Sequence, residues 1–368
     1  MFIMSVPSPN NILVRVPNWI GDAVICLPAL MDIRDCFAKA GITILARPTI
    51  AELLRGQCGI NDVLVYEHQT DHRGIFGLLR LSQVIRKRAF DTVVLFQNAF
   101  EAAVLSAFSN IPTRIGYATD GRGWLLSQSV RLPSPPSLHQ TRYYQQLVQA
   151  ITKVPSKDRA PKLIVTVNDQ VACETKFPEV FLPKETLLIG INPGSIYGSA
   201  KRWLPERFAE LGDQLVAQIR KEYPEYSSVR CLLLGGKGEE DLGMEITNRM
   251  CSQPIVLSGK TSIRELMGIL RRCAVLVSND TGPMHMAQAL GVPVVAIFGS
   301  TDPDATSPSG GGQSVVIRTD VRCAPCLLRA CPIDHRCMTG ISTDQVMTAV
   351  MKHIHGFSVL PQSSEQVG

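Results

Sequence analysis

Short apolar runs alternate along the whole chain with longer stretches in which apolar positions recur every three or four residues. In the first half the run NILVRV, Asn11 to Val16, predicts a strand. The loop PNWIGD follows it, and the periodic stretch from Asp22 to about Ala40 predicts a helix. Further strands are expected at Ile42–Ala46, Val63–Tyr66, Thr92–Phe96 and Arg114–Tyr117, with helices over Ile75–Arg88, Ala99–Ser109 and Tyr143–Ile151. The second half restarts the same grammar. LLIGIN, Leu187 to Asn192, predicts a strand, and LPERFAELGDQLVAQI predicts a helix with Pro205 near its first position, where a missing N–H costs nothing. Arg230–Leu234, Val275–Ser278 and Val292–Phe298 are the next strands, and Pro283–Leu290 is a helix. Ser262 with Glu265 forms a capping box that opens a helix over Ile263–Arg272. Strands alternating with helices predict parallel sheets covered on both faces.

The 368 residues are enough for two full cores. Prolines mark the joints: LPSPPSLHQ at Leu132–Gln140, then Pro155, Pro161, Pro178 and Pro183. The expected organisation is an N-terminal Rossmann-like domain over 1–160, a linker over 161–184, a C-terminal Rossmann-like domain over 185–353 and a tail over 354–368. The fold class is α/β, two such domains facing across a cleft. With 45% hydrophobic and 19% charged residues, the composition excludes a disordered or fibrous chain. The longest clean apolar run, Ala287–Phe298, contains Gly291 and Pro293 and falls short of the roughly 20 residues a membrane span needs. Prolines interrupt the N-terminus, and no basic patch precedes an apolar stretch there, so a cytoplasmic protein is expected.

Charge adds a direction to this picture. The net charge is +5, and up to Ala160 the chain holds 17 Lys+Arg against 11 Asp+Glu, leaving 20 against 21 for the rest. The excess sits in the first half, as an anionic partner such as a phosphorylated lipid or a nucleic acid requires. A merely solvated basic surface has the same charge.

In parallel sheets ligands bind beyond the carboxyl ends of strands, so the loops there are where chemistry is sought. In VPNWIGDAV, Asp22 stands at a helix start, where it complements the helix dipole or, with Trp19, Ile20 and Gly21 beside it, accepts a proton from a hydroxyl nucleophile. In NPGSIYGSAKRW, the residues Gly194, Ser195, Gly198, Ser199 and Lys201-Arg202 form a candidate phosphate cradle without a Walker sequence. In GGKGEE, Gly235 and Gly236 permit close approach, and Glu239 or Glu240 is placed to accept from ribose hydroxyls. In SNDTGPMH, the amides of Thr281 and Gly282 and the Thr281 hydroxyl are expected to converge on an anion at a helix start, with Asp280 and His285 alongside.

Together, GD after the first strand, PG…AKRW…F, LGG, SNDTGPMH and ALGVPVVAIFG resemble the bacterial lipopolysaccharide heptosyltransferases of glycosyltransferase family 9, from Ile12 to about Val346. The tail C-x-P-C…R…C-P…C-M, Cys323 to Met338, is most similar to the heptosyltransferase II branch. The resemblance implies an inverting glycosyltransferase with the two-domain GT-B fold. It implies ADP-heptose in the C-terminal domain and an anionic lipid A core acceptor in the N-terminal one, at the cytoplasmic face of the inner membrane. By motif position Asp22 is the general base and Lys201 pairs with the diphosphate. Gly194, Ser195, Gly236, Glu239, Asp280, Thr281, Gly282 and His285 line the donor site, while Trp19, Gly21 and His139 face the acceptor. No metal or other cofactor is implied: no D-x-D clamp occurs in these loops, so cation and helix dipole must stabilise the leaving diphosphate.

Eleven cysteines without a secretory signal read as reduced thiols. Seven stand singly; Cys323, Cys326, Cys331 and Cys337 cluster around His335, either as a structural zinc site or as a buried or redox-labile group, and their spacing is not that of a zinc ribbon. Two rival readings remain: a sugar-nucleotide epimerase of the same fold, wanting more acids in the cleft, and a zinc-stabilised nucleic-acid-binding protein. The second wants aromatics interleaved with cations, whereas Trp19, Trp124 and Trp203 lie far apart and aromatics are 6% of the chain. No nucleic-acid partner is therefore expected.

Overall fold

The structure, a computed structural model, describes residues 9–132, 139–181, 185–309 and 313–359, the last three of these by backbone alone. It divides into two compact units, with the boundary between Leu163 and Ile164.

The first unit runs β1 (Asn11–Arg15), α1 (Ile20–Ile25), α2 (Leu27–Cys36), β2 (Gly41–Ala46), α3 (Pro48–Leu54), β3 (Asp62–Val65), α4 (Gly74–Lys87), β4 (Thr92–Leu95), α5 (Phe100–Phe108), β5 (Thr113–Tyr117), β6 (Gln128–Val130) and α6 (Gln140–Thr152). All its strand pairs are parallel, in the order β3-β2-β1-β4-β5-β6. Ile12, Leu13 and Val14 of β1 are buried together with all of β4, as the near-continuous apolar runs of a sheet covered on both faces require. The single helix expected over Asp22–Ala40 is two: Pro28 lies in the first turn of α2, lacks an N–H, and breaks the ladder after Cys26.

The second unit runs α7 (Val167–Lys176), β7 (Thr186–Asn192), α8 (Pro205–Glu222), β8 (Ser228–Leu233), α9 (Glu240–Arg249), β9 (Ile255–Val256), α10 (Ile263–Leu270), β10 (Val275–Asn279), α11 (Gly282–Ala289), β11 (Val294–Phe298), α12 (Pro303–Thr306), β12 (Ser314–Arg318), α13 (Arg336–Thr339) and α14 (Thr343–Val359). Its sheet order, β12-β11-β10-β7-β8-β9, is that of the first unit read from the other edge, so one doubly wound topology occurs twice. The expected capping box forms: the Ser262 hydroxyl accepts from the Glu265 amide, and Glu265 accepts from the Ser262 amide at 2.8 Å. Trp203 is buried against Phe208, its indole N–H donating to the Ile341 carbonyl at 3.1 Å and tying the loop before α8 to the segment before α14.

The segment 161–184, read from its prolines as a linker, carries α7, which opens on a capping box of Thr166 with Asp169. Asp169 accepts from the Arg264 guanidinium at 2.9 Å, Lys176 reaches Glu265 at 2.9 Å, and buried Cys173 packs against Gly268 of α10. This helix therefore belongs to the second unit. Pro183 and Lys184 lie outside the described residues, as do most of Leu132–Gln140 and the tail beyond 359. Helix α14 runs past the expected end of the domain at 353.

Candidate functional site

In each sheet the chain reverses its winding between the first and fourth strands of the unit, β1 and β4 or β7 and β10, and polar side chains gather at the carboxyl ends of both pairs.

At the β7/β10 point the last residue of β7, Asn192, donates to the Thr281 hydroxyl at 3.0 Å and to Ser278 at 3.2 Å. Asn279, the last residue of β10, donates to the Pro193 carbonyl at 2.7 Å and accepts from the Trp203 amide at 3.0 Å. These two asparagines clamp both ends of the loop 193–203 to the strand ends. Lys201 closes a short 3-10 turn over Ser199–Lys201, and its Nζ lies 2.6 Å from Asp280 Oδ2, which also accepts from the Thr301 hydroxyl at 2.7 Å. The lysine side chain is 13% exposed and the aspartate 5%, with the Tyr197 ring 4.8 Å from Nζ. Removing one partner of a buried ion pair of this kind strongly destabilises the fold, because the other charge is left buried and uncompensated. The expected convergence on an anion changes in one detail: the Thr281 hydroxyl turns back to the strand ends and does not cap α11. His285 is buried in the first turns of that helix.

The loop approaches Glu239 closely at Gly194, where a Cβ would stand 2.1 Å from the Glu239 carboxylate and displace it. Glu239 Oε2 accepts from the Gly236 amide at 2.8 Å, while Oε1 is buried with no hydrogen-bond partner among the described residues. Glu240 accepts from the Gly238 amide at 2.7 Å, so it is occupied in shaping its own loop. The buried Ser195 hydroxyl, and that of Ser300 just beyond β11, also lack partners there. The cysteine-rich segment lies against the same loop. A Cβ on Gly198 would stand 2.1 Å from the Arg329 carbonyl, and His335 Nε2 lies 3.0 Å from the Ala200 carbonyl. Cys323 and Cys326 are exposed and Cys337 is buried. Among the described residues no three His, Cys, Asp or Glu side chains are grouped to hold a metal ion.

At the β1/β4 point Asp22 is the third residue of α1, half-buried, where a carboxylate complements the helix dipole. Burial first, and then the Asp22 carboxylate, hold the Tyr144 hydroxyl well above its usual range. Trp19 precedes α1 and is 49% exposed, and His139 caps α6 by accepting from the Thr141 amide at 3.2 Å. Several polar side chains at the carboxyl ends of these strands were not legible in the sequence. Burial pulls the Arg15 guanidinium down to about 10; it donates to the Val16 carbonyl at 2.8 Å and to Asn18 at 2.9 Å. Tyr66, just after β3, donates to Glu101 at 2.6 Å. Arg122 is fully buried and holds Asn98, which donates to the Tyr143 hydroxyl at 2.7 Å. Arg47, the residue after β2, has a buried Nε with no hydrogen-bond partner among the described residues. After burial itself, the Arg47 charge is the next largest influence holding the His68 imidazole below its ordinary value.

The sequence profile of glycosyltransferase family 9 (heptosyltransferase) matches residues 78–336. The chain is 27% identical over 308 residues to lipopolysaccharide heptosyltransferase 2 of Salmonella typhimurium, covering 81% of this chain and 85% of that protein. The fold matches that of ADP-heptose LPS heptosyltransferase II of Escherichia coli with a TM-score of 0.78 at 24% identity, over 95% of this chain and 100% of the other. A family 9 glycosyl transferase from Veillonella parvula matches with a TM-score of 0.80 at 20% identity, over 94% and 97%.

Proposed function

Because the chain belongs to glycosyltransferase family 9, the heptosyltransferases, we propose that it moves a heptose from ADP-heptose onto an inner-core sugar of a lipid A-core precursor, with inversion. The observation that carries the residue-level reading is the buried Lys201–Asp280 pair at the β7/β10 point, beside the start of α11. A departing diphosphate gains charge in the transition state, and a preoriented cation with the positive end of a helix stabilises it without a metal. Lys201 supplies that cation, Asp280 and Thr301 hold it in place, and Gly194, Ser195, Gly236, Thr281, Gly282 and His285 surround the nucleotide. The unbonded Glu239 Oε1 accepts a ribose hydroxyl.

Asp22 takes the proton from the acceptor hydroxyl as that oxygen attacks the anomeric carbon on the face opposite the diphosphate. Trp19 and Gly21 border the incoming sugar. His139 orients the start of α6 on the same side, and Arg47 pairs with an acidic group of the acceptor. No catalytic metal or other cofactor enters this scheme.

Among the described residues no helix is long and apolar enough to cross a membrane. The acceptor is lipid-anchored, so the enzyme works peripherally, on the cytoplasmic face of the inner membrane. The test is a donor screen: ADP-heptose and other nucleotide sugars are each offered with lipid A-core acceptors, and products are read by mass spectrometry. Heptose addition from ADP-heptose is the expected result; turnover of another nucleotide sugar in its place overturns the donor assignment.

A further inference from the structure

Helix α4 has an inner face that the fold explains and an outer face that it does not. Leu81 and Ile85 are buried in the core of the first unit, with Leu78 packed against it. At about 100° per residue, Phe76, Leu79, Arg80, Arg86 and Lys87 project together on the opposite side, with Ile75 at its border. Ile75 is 65% exposed, Phe76 81% and Leu79 39%. From Arg73 to Arg88 there are five cations and no acid. The longer helix α8 shows what an ordinary solvated face looks like here: its exposed positions are Glu206, Glu210, Ala217, Arg220, Lys221 and Glu222, of both signs and with no large apolar side chain.

The first unit exposes two further aromatic side chains beyond α4. Phe100 opens α5, and Trp124, 76% exposed, sits in the turn after β5, their ring centroids 6.4 Å apart. Helices that follow parallel strands begin at the carboxyl edge of the sheet, so Ile75, Phe76, Phe100 and Trp124 stand on the edge that carries Asp22. Apolar side chains exposed singly need no explanation, whereas a set of this size at one edge, beside a helix that carries cations and no acid, does. Aromatic rings that seat at a headgroup boundary, with Arg and Lys reaching for anionic lipid from the same helix face, are the chemistry of interfacial docking.

We propose that the outer face of α4, with Phe100 and Trp124, docks the first unit on an anionic bilayer surface, presenting the edge that holds Asp22 to an acceptor embedded in that bilayer. The proposal deepens the acceptor reading above and rests on it. Its occupant is lipid because Arg80, Arg86 and Lys87 project from a segment, 73–88, that holds no acid, Arg88 alone among its cations being ion-paired, to Asp62, among the described residues; a second copy of this chain, carrying the same cations, would be repelled.

The test uses the full chain and two exposed double variants, Phe76→Ser with Leu79→Ser and Arg80→Glu with Lys87→Glu, each checked for an unchanged melting temperature. Sedimentation is measured with vesicles of phosphatidylcholine plus phosphatidylglycerol and with phosphatidylcholine alone. The unaltered chain should prefer the anionic vesicles and release with added salt. The apolar variant should partition roughly tenfold or more weakly for the loss of interfacial burial. The charge variant should lose roughly fivefold or more per cation, on anionic vesicles only. Both should keep turnover of a soluble, de-acylated acceptor and lose it on acceptor held in vesicles. Equal binding by all three proteins, or no preference for anionic lipid, overturns the proposal. So does a dimer of the unaltered chain that Phe76→Ser with Leu79→Ser dissolves. An unaltered chain that binds vesicles yet transfers nothing to the soluble acceptor defeats the functional reading instead.

Discussion

The two units share one strand order and differ in what they place at the same topological point. At β7/β10 the second unit has a finished apparatus: two buried asparagines clamp the loop, and a lysine and an aspartate pair beneath it at 13% and 5% exposure. At β1/β4 the first unit offers a half-buried carboxylate on a short helix, a largely exposed tryptophan and, further along the edge, exposed apolar and basic side chains. A nucleotide has one shape and two fixed charges, so a preformed pocket suits it. A lipid-linked sugar arrives with its surroundings, and the surface proposed to meet it is correspondingly open. In the proposed function one topology thus serves two ligand classes through loop chemistry alone.

The hardest test of that division is Asp22→Asn. A general base acts only in the transition state, so turnover should fall roughly 10²–10⁴-fold while ADP affinity, read by calorimetry, stays unchanged. A variant that keeps its rate and only melts earlier would make Asp22 a helix-dipole residue and leave the first unit without a base. Next comes Lys201→Ala, which should weaken ADP binding, slow transfer by more than tenfold and lower the melting temperature, because Asp280 is left buried and unpaired. Adding Asp280→Asn should restore stability and leave activity low, which separates the role of the lysine from the cost of the orphaned carboxylate. If the double variant regains activity, the cation is structural. Smaller still, Arg47→Ala should raise the acceptor KM several-fold, leave ADP binding alone and let the His68 imidazole titrate closer to its ordinary value; an unchanged KM removes Arg47 from the acceptor side.

Much of this frame is legible in the sequence itself. Strands with continuous apolar runs, such as Leu187–Asn192 and Val275–Ser278, announce themselves because both sheet faces are covered, and AKRW and SNDTGPMH carry Lys201 and Asp280 in strand-end loops. What escaped has physical reasons. The short edge strands β6, β9 and β12 bury little and so carry weak patterns. Helix α7 hid because prolines flank it closely, and its stability comes from Arg264, Glu265 and Gly268, roughly ninety residues away. Asn192 and Asn279 look like ordinary turn formers, and only the parallel pairing of β7 with β10 turns them into clamps. Arg47 is one arginine among many until its Nε is seen to be buried with no hydrogen-bond partner among the described residues.

The smallest expected effect concerns where the second unit begins. Asp169 caps α7 and receives Arg264 of α10; burial raises its carboxyl, and the Arg264 and Thr166 contacts outweigh that and hold it below the usual range. A carboxyl depressed in the folded state contributes stability that is complete above the unfolded value of about 3.9 and is lost as pH falls through the lower folded value. The unaltered chain should therefore lose part of its stability on acidification below about pH 4, and Asp169→Asn should show a shallower decline there. At neutral pH Asp169→Asn should cost about 1–2 kcal/mol through the lost cap and pair, which for a unit of this size is a drop of roughly 2–8 °C in melting temperature. A soluble fragment starting at Ile164 should then bind ADP, and one starting at Thr186, which strips α7 from α10, should melt lower while keeping the same loops. If the two fragments melt together, α7 adds nothing to the second unit, and the segment before β7 is the linker that its prolines first indicated.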